Sequence, residues 1–183
     1  MERRLRIDLI LALAAVAISA IAAAAAAYQT FVINKQFSAT VWPYLALDST
    51  YDVNRLAFAI ENDGLGPAII RSAALRIDDR TVGKWTDAIK KLPFRHGSHV
   101  GGSLVSISNG EVIRAGETKT VLDLHGPMPA SGVLYSAERD HHLSIDLCYC
   151  SLLEQCWTVH FLAEDSNPHA VSSCSGPASI KSG

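Results

Sequence analysis

Polar and apolar positions fall into three regimes along this chain. From residue 9 to residue 28 the only polar side chain is Ser19, and FVI at 31–33 prolongs the apolar run. About 20 apolar residues at ~1.5 Å each cross a ~30 Å hydrocarbon core. A core helix of that length would keep a polar face, and this one has none. The pattern predicts a membrane-spanning helix over 9–33, through Leu9, Ser19, Ala27 and Ile33, after a short tail at 1–8. Beyond it, apolar residues recur with period two in short runs separated by turn signals, the signature of a β-sandwich. The last stretch, 165–183, is rich in Ser, Pro, Gly and Asn and predicts a disordered tail.

Within the 36–164 domain the expected elements are short. Residues 40–47 (TVWPYLAL) suit an edge strand, because Pro43 cannot donate to a ladder. Residues 55–61 (RLAFAIE) alternate cleanly, with Leu56, Phe58 and Ile60 on one face; NDGLGPA at 62–68 is a turn, and 68–77 (AIIRSAALRI) is the next strand. A short helix is expected over 85–92, a loop over 93–103, a strand over 104–107, and two strand segments around the AGE turn in 112–124. Residues 133–140 suit a helical turn or a loop. Residues 143–149 and 156–162 form a hairpin closed by SLLEQ. These make about seven strands, enough for an immunoglobulin-like β-sandwich preceded by one transmembrane helix.

Charge sets the orientation. Arg3, Arg4 and Arg6 precede the apolar run and only Lys35 follows it closely, so the positive-inside rule puts the N-terminus in the cytoplasm and exports the rest. A cleavable signal peptide is the rival: the alanine run offers many A-x-A sites, but the apolar stretch exceeds the usual ~7–15 residues. Either way the body lies outside the cytoplasm, beyond the cell inner membrane. Small residues at Ala15, Ser19, Ala22, Ala23 and Ala26 would let a second helix approach closely, a route to self-association. Without the first eight residues, the 16 basic and 18 acidic side chains fall to 13 and 16. A mildly acidic body is no nucleic-acid binder.

Chemistry concentrates in CYCSLLEQCW, residues 148–157, with Cys174 the remaining cysteine. A five-residue hairpin loop sets Cys150 opposite Cys156, with facing Cα atoms ~4.5–5.5 Å apart, which a disulfide spans. Cys148 lies on the same face, within reach of Cys174. Three connectivities exist, and geometry favours 150–156 with 148–174. An oxidising compartment makes such staples the default. The alternative is a thiol or metal module: the three thiolates suit Cu(I), and zinc would need a fourth ligand such as His160. His96 and His99 in a glycine-flanked loop have ligand spacing but make only half a site; His141 and His142 read as surface residues. Trp42, Trp85 and Trp157 suit core or sheet-edge packing. No nucleophile elbow or phosphate-binding loop is present, so no enzyme class or cofactor is expected.

NDGLGPAII followed by IRAGETKTVLDL resembles the N-x-G-x-G-P-A and P-G-E turn motifs of immunoglobulin-like modules of the CARDB type, with Ala115 where the second motif often has Pro. Together with QTFVINKQFSATVWPYL and the cysteine hairpin, these residues resemble bacterial membrane-anchored proteins bearing a small extracytoplasmic sandwich. The resemblance covers most of 28–162 and implies a fold and an envelope location, with no catalytic residues. The expected role is a non-enzymatic binding or assembly module that meets another envelope protein.

Overall fold

The computed structural model describes residues 2–52, 54–91, 101–126, 136 and 142–183. The expectations for 133–140, and for His96, His99 and His141, therefore fall outside the described residues, residue 136 apart. The chain divides into two compact units, Met1–Thr40 and Val41–Gly183.

The first unit is one helix, α1 (Glu2–Thr40). Its stretch Arg6–Ser38 is long and apolar enough to cross a membrane. Its few hydroxyls are satisfied within the helix: Ser19 Oγ donates to Ala15 O at 2.8 Å, and Thr30 Oγ1 to Ala26 O at 3.0 Å. That matters in hydrocarbon, where an unpaired polar group has no water to turn to. The helix runs on through 34–40, where β-structure was expected to begin at 40. Extending a formed helix costs little per residue, and it stops just short of Pro43, which disfavours helix in the residue before it.

The second unit is mainly β and antiparallel. β1 (Leu45–Asp52), β2 (Arg55–Asn62), β8 (Thr118–His125) and β5 (Gly101–Leu104) form one sheet in the order β1-β2-β8-β5. The other sheet runs β11-β10-β9-β3-β4, from β11 (His169–Val171), β10 (Cys156–Phe161), β9 (Leu143–Cys150), β3 (Ala68–Ile77) and β4 (Arg80–Val82). β7 (Val112–Ile113) also pairs with β3, and β6 (Ile107–Ser108) pairs with β12 (Ser179–Ile180). The short helix α2 (Trp85–Lys91) follows β4.

One hydrophobic core serves both sheets. Leu56, Phe58 and Ile60 of β2, buried as their alternation requires, share it with Leu75 of β3, Ile145 and Leu147 of β9, and Phe161 of β10. Trp85 from α2 and Ile180 from β12 are fully buried in the same cluster. Register is broken once in the first sheet: a bulge between Phe58 and Ala59 lets both Val121 and Leu122 of β8 turn inward.

Three boundaries differ from the sequence pattern. β1 lies at 45–52, because its second half (DSTYD) is a partly exposed edge with no apolar alternation to announce it. Part of the expected 93–103 loop is strand β5. The disordered tail expected at 165–183 instead carries β11 and β12, both paired.

The NDGLGPA turn is a knot rather than a spacer. Asn62 is fully buried; its Nδ2 donates to Gly66 O and Ile113 O, and its Oδ1 accepts from the N–H groups of Tyr44 and Gly64. The turn also grips the start of the unit, as Asp63 N donates to Tyr44 O and Leu65 N to Trp42 O, both at 2.9 Å. Side chains at Gly64 or Gly66 would collide with the backbone of residues 41–44, so both positions require glycine.

Candidate functional site

Alternation along β9 explains where the sulfurs sit. Leu143, Ile145, Leu147 and Tyr149 point into the core, so Ser144, Asp146, Cys148 and Cys150 occupy the opposite face. On β10, Val159 and Phe161 point inward, which puts Cys156, Thr158 and His160 on that same outer face. Cys156 pairs in register with Cys150, and Thr158 with Cys148.

The outer face is crossed by the segment after β11. Its Cys174 bonds Cys148 on the central strand. Ser72 Oγ of β3 donates to Ser175 O at 3.2 Å, and Ala73 N donates to Pro177 O at 2.9 Å, filling the β3 edge between β7 and β4. The segment then pairs with β6 and ends beside α2, where Trp85 N donates to Lys181 O. The result is a strap from one edge of the sheet to the other. Its first turn is held by Asp165, whose Oδ1 accepts from the Asn167 backbone and side chain and whose Oδ2 lies 2.9 Å from His169 Nε2. The Asn167 N–H, then His169, hold the Asp165 carboxyl below the usual carboxylate range.

The structure joins Cys148 to Cys174, with Cα atoms 5.6 Å apart, and Cys150 to Cys156, 4.0 Å apart. The two bridges touch: Cys150 Sγ lies 3.8 Å from Cys174 Sγ. The sulfurs of Cys150, Cys156 and Cys174 all fall within 4.8 Å of one another. As disulfides they are poor metal donors, since the thiolate is the ligand; reduced, the same cluster offers soft ligands.

His160 is not among them. It shares the face with Cys156 but sits four residues along the strand, roughly 13 Å away at ~3.3 Å per residue. Its Nδ1 lies 2.8 Å from Asp146 Oδ1, whose other oxygen meets Arg76 Nε at 2.6 Å. His142 faces Asp78 at 2.7 Å on the surface. Of the tryptophans, Trp85 is buried with Nε1 donating to Val105 O, Trp157 stacks on Tyr149 at 5.9 Å, and Trp42 is 42% exposed.

Two features escaped the sequence pattern. Tyr149 is fully buried, with its hydroxyl accepting from Leu45 N at 3.3 Å, and burial pushes its phenol up to about 12. The Arg76–Asp146–His160 ion group was the other; parity puts Asp146 and His160 on one face, but only register brings them together. On the first sheet, Arg55 grips Asp123 with two bonds of 2.9 and 3.0 Å and holds that carboxyl below its ordinary range.

No protein-family model, curated protein or solved structure matches this chain.

Proposed function

We propose that this chain is a single-pass, membrane-anchored binding or assembly module of the bacterial envelope, with an immunoglobulin-like sandwich on the exported side. One observation carries the reading: a single apolar helix with arginines before it leads into a domain whose four cysteines are all in disulfides. Disulfides persist where the compartment is oxidising, and the positive-inside rule exports the same part of the chain. The two sheets over one core fit a sandwich. α1 anchors it in the cytoplasmic membrane, and the body meets another envelope protein through a sheet edge or loops. The function is non-enzymatic. The test is proteolysis of spheroplasts followed by crosslinking in intact cells. The body should be digested without lysis, and a crosslinked adduct with a second membrane or envelope protein should form. Protection of the body until lysis would reverse the orientation.

The three sulfurs within 4.8 Å favour a second reading, a module that handles thiols or a soft metal such as copper or zinc. Protein isolated with free thiols and near-stoichiometric metal, lost in Cys150→Ser, would establish it in place of the first.

A further inference from the structure

Seven large apolar side chains beyond Thr40 are exposed among the described residues, and they are not scattered: Trp42, Leu65, Val112, Leu152 and Leu153 share one end, leaving Tyr51 and Val105 elsewhere. The strand registers establish that shared end. Leu45, at the start of β1, pairs with Asn62 at the end of β2, and its N–H donates to Tyr149 OH. Ile69 pairs with Cys150 on one side and with Val112 on the other. The 62–67 turn, the 151–155 loop and the chain's entrance at 41–44 therefore cap the same strand ends.

Both loops hold their leucines out rigidly. Leu65, 72% exposed, stands between two glycines locked against the 41–44 backbone, with its own N–H bonded to Trp42 O. Leu152 and Leu153, 60% and 41% exposed, ride a loop closed by Cys150–Cys156. That loop is braced by Ser151 N donating to Gln155 O and by Leu153 N donating to Ser151 Oγ. Ordering costs are already met, and no neighbour covers these side chains.

The covalent chain says what lies beside this end. Val41 follows Ile33 by only eight residues, about 12 Å along a helix. The polar layer of each leaflet adds about 5–8 Å to the hydrocarbon core, so a tether this short holds Trp42 at or next to headgroup level. Tryptophan and leucine at that level are the composition of an interfacial contact. The exposed charges among them, Asp63 and Glu154, are acidic, which favours zwitterionic over anionic lipid.

We infer that this rim of Trp42, Leu65, Val112, Leu152 and Leu153 rests in the headgroup layer of a zwitterionic phospholipid bilayer, fixing the domain's tilt on the membrane. The inference rests on the proposed anchoring by α1.

The full chain in phosphatidylcholine nanodiscs, with or without lipid brominated near the headgroup end of its acyl chains, tests it by tryptophan quenching. In a Trp42→Phe background, Leu65→Trp and Leu152→Trp should be quenched at least about twofold more than Tyr51→Trp, which lies about 20 Å further along β1. Wild type should lose quenching on Trp42→Phe alone. Lipids brominated near the chain ends should quench Ile21→Trp, which reports the span itself. Equal quenching at positions 65, 152 and 51 with Ile21→Trp quenched would overturn the rim contact and leave the anchor standing. No quenching of Ile21→Trp would overturn the anchor. Positions 65 and 152 shielded from aqueous acrylamide but untouched by lipid bromines would mean that a second copy covers the rim, which also overturns it.

Discussion

Removing Cys148–Cys174 should destabilise the protein more than removing Cys150–Cys156. Each bridge is deleted by a pair of serines, so that no unpaired thiol remains. The bonds close loops of very different length, 26 residues apart in one case and 6 in the other. The loop-entropy relation gives about 3.5 kcal/mol for the first and about 2 kcal/mol for the second. The gap follows from the unfolded chain: with 148–174 joined, the strap and β10 cannot stray far from β9 even when denatured. At about 2–4 °C per kcal/mol, the expected losses in Tm are roughly 10 °C and 6 °C. The measurement is thermal unfolding of the full chain in detergent, followed by near-ultraviolet circular dichroism and by tryptophan fluorescence from buried Trp85. If Cys148→Ser/Cys174→Ser cost no more than Cys150→Ser/Cys156→Ser, the covalent closure would not be what holds the strap. Its backbone bonds to Ala73 and β6, with Ile180 in the core, would then suffice.

Asn62→Ala should cost at least about 3 kcal/mol in urea unfolding, because it strands two buried donors and two acceptors that Asn62 satisfies at once; a loss under about 1 kcal/mol would mean water replaces the side chain. Gly66→Ala should destabilise by more than about 2 kcal/mol through collision with Val41 O, while Gly83→Ala, with nothing near its Cβ position, should stay within about 0.5 kcal/mol. Tyr149 sets an alkaline limit. The unfolded phenol loses its proton near 10 and the folded one near about 12, so the folded state binds more protons in that window and stability falls as pH rises through it. The slope is at most about 1.4 kcal/mol per pH unit. Denaturation midpoints at pH 9, 10 and 11 should decline less steeply in Tyr149→Phe, and parallel slopes would sink the assignment.

How much was legible in the sequence depended on which face each residue presents. Leu56, Phe58 and Ile60 announce β2 because one side is core and the other is not, and SLLEQ between two β-rich runs announces the hairpin and sets Cys150 against Cys156. Residues 48–52 gave no such signal, being an edge strand whose side chains are largely exposed. The strap was opaque for a different reason: its attachment is made by backbone groups, one disulfide and one isolated Ile180, all compatible with the composition of a loose tail. NDGLGPA was readable as a turn, but a turn motif does not say that its asparagine is buried with every polar atom engaged. His160 shows the limit of parity, which gives the face of a strand and not the distance along it.

The strap also orders events in time. A chain made from its N-terminus presents Cys148, Cys150 and Cys156 well before Cys174, which trails Cys156 by 18 residues. In that interval the hairpin has only itself to react with, and the local 150–156 bridge forms between strands already in register. Two of the three early thiols are then consumed, and Cys148 is left as the sole partner when Cys174 arrives. Chain direction thus selects one pairing out of three without an isomerase. A circular permutant that presents the 165–183 segment first would lose that schedule, and should yield scrambled disulfides from the same four cysteines.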